Sequence, residues 1–398
     1  MSLLNKIFTT RYTGSLLYLG AALLTLGFIV NSVKVDVKTP CRIVYDAGSS
    51  GTRLFIYELH NTKWREHVGP KVSALADPVR EILDRQWADA EAVVAEVVNS
   101  LEQIKVAGPV DDEGQVKWPA FDWSEQCRVV SASVYATAGM RIAEQQNPDR
   151  SRQLWQKLKQ RLSAKIPKNV TVSTRTLTGF EEGLYAWLSV RQISGKDDFG
   201  IVEMGGASSQ LTFPCDECPS ARIIRLADQS HNIFSYSFLG LGGDEAFEIL
   251  GNDAACQFGA AKQMPGWTEQ ACARSISIQT SQGIRDPYNI GEQGRGRYQV
   301  IPVHKAEADS WVLTGAFYYM KDSDLDNCCI LGKESKCHNP DSSCFRSVYF
   351  RKYLRLLGID SYSTAESSWT LGAVICQEND CLRDSGKLKC RWMDGDCL

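Results

Sequence analysis

The sequence predicts an α/β protein of two similar halves with a site in the cleft between them. Three observations carry this. First, the stretch Asp46-Ala47-Gly48-Ser49-Ser50-Gly51-Thr52-Arg53 has a counterpart in Glu203-Met204-Gly205-Gly206-Ala207-Ser208-Ser209-Gln210. Each opens on a carboxylate, passes through glycine and carries a pair of small hydroxyl residues. Short apolar runs flank both, Arg42–Tyr45 and Leu54–Tyr57 around the first, Phe199–Val202 and Leu211–Phe213 around the second. Each therefore reads as a strand–turn–strand unit. Second, strand-like and helix-like stretches alternate along the chain. Third, 398 residues, 43% hydrophobic and 23% charged, suffice for two domains and a sizeable core.

Between the two turns, Val79, Ile82, Leu83, Val93, Val94, Val97, Val98, Leu101 and Ile104 recur at three- to four-residue spacing. That period predicts one long amphipathic helix or two shorter ones. Asp111 to Trp123 is polar, with Gly and Pro, and reads as a loop. Arg128–Tyr135 reads as a buried strand, and Ala136–Arg141 as a turn feeding a helix. Leu154, Leu158 and Leu162 mark the next helix, Val170–Thr174 a strand, and Thr178 opens another helix. After the second turn, Ser235–Ala246 reads as a strand and glycine turn entering a helix. Ser281–Arg297, rich in glycine and polar residues, reads as a long surface loop.

A net charge of −3 offers no basic footprint for nucleic acid, so no nucleic-acid partner is expected. An anionic substrate must then be held by local groups and metal. Residues Tyr12 to Val33 carry no charge and follow Lys6 and Arg11. Residues 1–35 thus read as a membrane-inserting segment, either a cleaved signal or an uncleaved anchor. The rest of the chain is expected to be exported, membrane-anchored or secreted. The 14 cysteines, spread from Cys41 to Cys397, agree with a disulfide set in an oxidising compartment. For Cys215-x-x-Cys218 a zinc knuckle or a redox pair stays open, although no partner motif stands at zinc spacing. The five histidines show no metal spacing, and Asn169-Val170-Thr171 is a lone glycosylation sequon.

Paired glycine turns suit a polyphosphate clamp. Glycine lets backbone N–H groups come close to phosphate oxygens, and hydroxyls add donors. Ser49, Ser50, Gly51, Thr52 and Arg53 in the first turn and Gly206, Ala207 and Ser208 in the second are the phosphate-binding candidates. Thr137, Ala138 and Gly139, at a helix start, are a third. Asp46 and Glu203 are candidates to anchor Ca²⁺ or Mg²⁺ through water, or else merely solvate their turns. Arg53 and Arg141 serve either phosphate or nearby acids. Thr178 and Glu181 stand at capping-box spacing, which occupies Glu181 and leaves Glu182 free as a candidate general base. Glu182 can also be read as one more acid in a helix's first turn. Gln210 is a candidate to orient a water.

These segments resemble the apyrase family, the ecto-nucleoside triphosphate diphosphohydrolases. Five stretches carry the likeness in order: Asp46–Arg53, Ala136–Arg141, Thr178–Trp187, Glu203–Gln210 and Tyr236–Ala246. The resemblance implies two ribonuclease-H-like (actin-like) lobes with nucleotide in the cleft. It implies Glu182 as catalytic base, Ser208 and Gln210 as water-positioning residues, and Asp46 and Glu203 as metal-site carboxylates. It also implies Ca²⁺- or Mg²⁺-dependent hydrolysis of nucleoside tri- and diphosphates without a phosphoenzyme. Ala316–Tyr319 resembles the segment whose last tyrosine stacks on the base, although Tyr319 also reads as a core aromatic. Ser368–Gly372 resembles the last family motif. Two departures stand out. Glu203 replaces the family's Asp, and Ala373 replaces an aromatic, which removes one expected face of the base clamp.

The expected organisation is a leader or anchor over 1–35, a first lobe over 36–177 and a second over 178–375. A Cys-rich segment over 376–398 is expected to return to the first lobe. A monomer is expected. Two rival readings are an exopolyphosphatase-like hydrolase of the same superfamily and a non-hydrolysing nucleotide-binding module.

Overall fold

The computed structural model describes residues 38–80, 88–111, 114–218, 220–227, 229–251, 255–256, 268–280, 283–290, 296–319, 342–383 and 385. The N-terminal segment 1–35 and Cys328, Cys329, Cys337, Cys390 and Cys397 lie outside them. Among the described residues no helix is long and apolar enough to cross a membrane.

The first sheet is built from β1 (Thr39–Gly48), β2 (Gly51–His60) and β3 (Lys63–Val72), an antiparallel meander, then β4 (Cys127–Ala136) and β5 (Thr171–Thr176). Its order is β3-β2-β1-β4-β5, with β5 parallel to β4. The two-residue period of a strand sends Ile43, Tyr45 and Ala47 to one face and Val44 to the other. The first set packs with Val94, Val97 and Leu101 of helix α1 (Ala90–Gln103). A short α2 (Trp123–Gln126) precedes β4, and α3 (Ala138–Gln146) and α4 (Pro148–Ser163) join β4 to β5. Leu158 and Leu162 of α4 complete that core.

The second sheet follows α5 (Gly179–Ser194). It holds β6 (Phe199–Met204), β7 (Ser208–Pro214), β8 (Arg222–Leu226) and β9 (Gln229–Leu239), with β13 (Ser310–Gly315) and β14 (Ser363–Thr364) added later. The order is β14-β13-β6-β7-β9-β8; β6, β7 and β9 are antiparallel neighbours, and β13 runs parallel to β6. Setting aside the edge strand β8, this repeats the first sheet. A central strand has two antiparallel strands on one side and two further strands on the other. The molecule is therefore an α/β protein of two ribonuclease-H-like lobes. Between β9 and β13 lie α6 (Gly243–Leu250), α7 (Glu269–Ser275) and a small sheet of β10 (Gln279–Thr280), β11 (Gly283–Ile290) and β12 (Gly296–Gln299). After β13 come α8 (Ala316–Tyr319), α9 (Ser343–Leu357) and, beyond β14, α10 (Trp369–Asn379).

Helices α5 and α10 share one core with both sheets. Val44, Tyr57 and Tyr135 come from the first, Phe199, Ile201 and Ile233 from the second, and Leu184, Trp187, Trp369 and Val374 from the helices. Polar contacts repeat this bridging. Arg42 pairs with Glu378 at 2.5 Å, Gln377 donates to the Tyr135 hydroxyl at 2.7 Å, and the Arg225 amide donates to the Cys381 carbonyl at 3.0 Å.

The stretch read from Val79 onward as one long helix or two shorter ones contains α1 from Ala90, where the Asp89 side chain caps it by accepting from the Glu91 amide. Val79 sits in a preceding turn, and Ile82 and Leu83 lie outside the described residues. The expected loop over Ser281–Arg297 instead contains β11 and the start of β12, paired antiparallel. Its inward positions are Ile284 and Asp286, and the buried acid, bonded by the Tyr236 hydroxyl at 3.1 Å, disguised the strand alternation. Cys215 and Cys218 form a disulfide, which removes the zinc reading. Cys41–Cys127, Cys256–Cys272 and Cys376–Cys381 are also bonded. The first of these joins β1 to β4 across 86 residues, worth about 4–5 kcal/mol on chain-entropy grounds.

Candidate active site

In the first hairpin Asp46 pairs with Arg53 and Gly48 with Gly51, so Ser49–Ser50 is its two-residue turn. In the second, Glu203 pairs with Gln210 and Met204 with Ser209, leaving Gly205–Ser208 between them at the tip. The two tips touch. A Cβ added at Gly206 would lie 2.4 Å from Ser49 Oγ, so any side chain there would have to displace that hydroxyl. The start of α3 joins them, because a Cβ at Gly139 would lie 3.0 Å from Ser49 Cα. Thr137, Ala138 and Gly139 are thus beside the first turn, and the Thr137 amide donates to the Ala47 carbonyl at 3.3 Å. Thr52 is fully buried with its hydroxyl unpartnered, while Ser50 and Arg53 are exposed.

The second turn is anchored through its carbonyls. Gly205 O accepts from the Gly243 amide (2.9 Å), Gly206 O from Asp244 and Glu245 (2.9 Å each), and Ala207 O from Gly240 (2.8 Å). A trans peptide directs its N–H opposite to its C=O. The amides of Gly206 and Ala207 therefore turn away from α6, the orientation an anion-binding turn requires.

Three acids are close enough to feel one another's charge. Burial pushes Asp46 up to about 7, helped by Glu182 and opposed by Arg53, Lys71 and a hydrogen bond from Trp369. Burial raises Glu182 as well, against the charge of Arg141 and a hydrogen bond with Ser208. Glu203 is raised well above the carboxylate range, by burial and then by Glu182 and Asp46. Asp46 and Glu203 keep part of their surface open, whereas Glu182 is only 4% exposed. Glu203 Oε2 is a buried oxygen without a hydrogen-bond partner. Its Oε1 folds over Gly315 at the end of β13, where the longer side chain finds room (2.9 Å from a Cβ built there).

Such a trio calls for a cation. Two partly open carboxylates with an unpartnered oxygen fit a divalent ion held through water. Among the described residues no three His, Cys, Asp or Glu side chains are arranged to ligate a metal directly.

Glu182 is spared the capping role because its neighbour takes it. The Thr178 side chain accepts from the Glu181 amide at 3.2 Å, and Glu181 accepts from the Thr178 amide at 2.9 Å. That completes the expected capping box, and Arg175 grips Glu181 from the other side. Glu182 bonds the Arg141 guanidinium, which also donates to Ser208 Oγ (3.1 Å) and Ser237 Oγ (3.0 Å). Gln210 Nε2 donates to the same two hydroxyls at 2.6 and 3.0 Å. Its Oε1 is left as a buried acceptor without a partner. Glu182, Ser208 and Gln210 are thus joined through Arg141 and Ser237 in one hydrogen-bonded cluster, in which Gln210 Oε1 is the acceptor left open.

Tyr319 is 57% exposed, which removes the core reading. Its hydroxyl donates to Glu366 at 3.0 Å and feels the charge of Arg53. Ala373 is fully buried in the core around α5 and α10, so its small size bears on helix packing and not on a wall of the cleft. Sequence reasoning assigned no role to Trp369, although its segment was singled out; its side chain bonds Asp46. It also missed Ser237, which binds Arg141 and Gln210, and Asp244, which lies against Gly206 and pairs with Arg346. Only the glycine-rich run after Ser237 signalled that strand end.

Residues 122–255 match the GDA1/CD39 (nucleoside phosphatase) family. The nucleoside-triphosphatase ntp-1 of Caenorhabditis elegans is 27% identical over 253 residues, 56% of this chain and 43% of that protein. Probable apyrase 5 of Arabidopsis thaliana is 24% identical over 376 residues, 87% of this chain and 69% of that protein. A crystal structure of a nucleoside triphosphate hydrolase from Neospora caninum covers 91% of this chain and 96% of its own, at 15% identity and a TM-score of 0.49. The chain spans about half the length of most of the curated relatives it matches. The family profile covers the α3 start, the Glu182 helix and the whole second turn, so the resemblance read from the motifs holds: this chain is related to the GDA1/CD39 nucleoside phosphatases.

Proposed function

We propose that the chain hydrolyses the terminal phosphates of nucleoside tri- and diphosphates, in the cleft between a lobe of residues 36–177 and a lobe of residues 178–375. The observation that carries this reading is the contact of Ser49 with Gly206, which brings the two glycine turns together beside three acids that feel one another's charge. Ser49, Ser50, Gly51, Thr52 and Arg53 bind the phosphate tail from one side. Gly206, Ala207 and Ser208 bind it from the other, and Thr137, Ala138 and Gly139 lie alongside. Asp46 and Glu203 would hold Ca²⁺ or Mg²⁺ through water, and the cation would supply charge neutralisation of the phosphates.

Glu182 accepts the proton of the attacking water. Ser208 and the free Oε1 of Gln210 orient that water for in-line attack, and no phosphoenzyme forms. Arg141 keeps the Glu182 carboxylate aimed at the same spot. Tyr319 offers an exposed ring for the base, beside Arg53 and near the first turn. This exposure favours a nucleotide over bare polyphosphate. The disulfides and the uncharged segment Tyr12–Val33 support an exported enzyme.

Phosphate release from ATP, ADP, AMP and polyphosphate, with and without EDTA, tests the reading. Release from ATP and ADP that EDTA abolishes is expected. Equal release from polyphosphate and ATP defeats the nucleotide assignment. Glu182→Gln is expected to lower kcat by about 10²–10⁴; undiminished turnover removes the base from Glu182.

A further inference from the structure

Glu245 faces both lobes. Its backbone amide donates to the Gly206 carbonyl at 2.9 Å, so it belongs to the anchor of the second turn. Its buried carboxylate receives Arg80 Nη2 at 2.5 Å and the Tyr288 hydroxyl at 2.6 Å. Arg80 follows β3 in the first lobe, where its amide donates to the Ala76 carbonyl at 2.7 Å. Ala76 lies 3.5 Å from the Cβ position of Gly139, and Gly139 abuts Ser49. Ser49 in turn abuts Gly206. The contacts close a ring from Ser49 through Gly139, Ala76, Arg80, Glu245 and Gly206 back to Ser49. An apolar seam of Ala138, Ile142, Ala207 and Leu239 runs beside it, with Tyr288 packed on its edge.

We propose that the Arg80–Glu245–Tyr288 bridge is a clasp between the lobes that sets the spacing of the two phosphate turns. Its members are positioning residues for the hydrolysis inferred above, and the proposal rests on that reading. Removing one partner of a buried ion pair leaves the other charge uncompensated, so the bridge favours the state in which the turns touch. It is also separable. Arg80 Nε is buried without a partner, and the joint is polar, unlike the continuous apolar core around α5 and α10. Without the clasp the nucleotide-free protein spends less time with its turns apposed. Binding then has to restore that state, which raises KM, while the bound phosphate tail keeps kcat near its original value.

Glu245→Gln is expected to raise KM for ATP about tenfold with kcat within about threefold, and Tyr288→Phe to raise KM about two- to threefold. The exchange R80E/E245R should recover KM relative to either single change. A fall in kcat with KM unchanged, or no change in either, overturns the clasp. Hydrogen exchange in nucleotide-free protein gives a readout independent of hydrolysis. In Glu245→Gln the amides of Gly243 and Asp244 should exchange faster while those of Phe234–Phe238 in β9 keep their protection. Unchanged exchange at Gly243 and Asp244 overturns the proposal. Wild-type protein that releases phosphate from no nucleotide ends the hydrolase reading, and the exchange result then decides the clasp by itself.

Discussion

The two glycine turns look alike in sequence and are held in opposite ways. The first has two residues at its tip, Ser50 is exposed, and its side chain takes a hydrogen bond from Lys71 at the surface (3.1 Å). The second is lashed by its carbonyls to the amides of Gly240, Gly243, Asp244 and Glu245, and Ala207, Ser208 and Gln210 are buried. One turn is presented and the other is part of the scaffold. The difference teaches where the precision of the site resides. On the function proposed above, the amides that would meet the phosphate without reorganising belong to the second turn, while the first would contribute hydroxyls that can adjust.

The sharpest way to break this comparison is to crowd each turn. Gly206→Val places methyl groups where Ser49 Oγ and Asp244 Oδ2 already stand, 2.4 and 2.6 Å from the Cβ position. We expect kcat/KM to fall by about 10²–10³, as for a lost oxyanion donor, with a stability loss of about 1–3 kcal/mol from overpacking. Ser50→Val, at the exposed tip of the first turn, should cost less than about tenfold. Equal losses in a phosphate-release assay would show that the turns are not distinct.

Hydroxyl deletion sharpens the same contrast at smaller scale. Ser208 Oγ accepts from both Arg141 and Gln210, so Ser208→Ala leaves two buried donors short of a partner. A loss of about 1–3 kcal/mol in transition-state stabilisation, roughly 5- to 150-fold in kcat, is expected. Ser49→Ala removes a half-exposed hydroxyl and should cost severalfold less. A smaller change follows for Gly206→Ala, which should be partly rescued by Ser49→Gly, because that change withdraws the oxygen its methyl would strike. Failure of the double variant to exceed Gly206→Ala in kcat/KM would mean that Asp244, not Ser49, is the limiting neighbour.

How much of this was legible in the sequence follows the range of each interaction. Both turns, their leading acids and the capping box of Thr178 and Glu181 are local, and local spacing revealed them. So did the alternation of buried residues in β1 and the apolar period of α1 from Val93 onward. The partners of the acids were not legible. Arg141 reaches Glu182 across 41 positions and Trp369 reaches Asp46 from the far end of the chain, and no periodicity encodes such meetings. The strand β11 escaped for a different reason. Its inward position carries Asp286, a charge that hides alternation until Tyr236 is seen to bond it. Ala373 misled in the same way, since a family motif says nothing about whether a side chain faces a cleft or a core.

The smallest expected effect concerns what the first turn leans on. Its neighbour α3 is tied to β5 and α4 through Glu144, whose Oε1 accepts from Thr176 and from the Trp155 indole (3.0 Å). Burial raises Glu144 above the ordinary glutamate range, although both hydrogen bonds and Arg141 pull it down. A carboxyl whose folded pKa is raised holds its proton after the unfolded chain has released its own. The folded state is therefore favoured by this group below the unfolded pKa, and that advantage is lost as pH rises through the folded pKa. Glu144→Gln keeps an acceptor for both donors and removes the titration. In denaturant unfolding the stability of the variant relative to wild type should grow from acid toward neutral pH and then level off, with hydrolysis within about twofold at neutral pH. A relative stability that instead declines with pH would mean that the ionised carboxylate, and not the uncharged acceptor, braces α3 against the first turn.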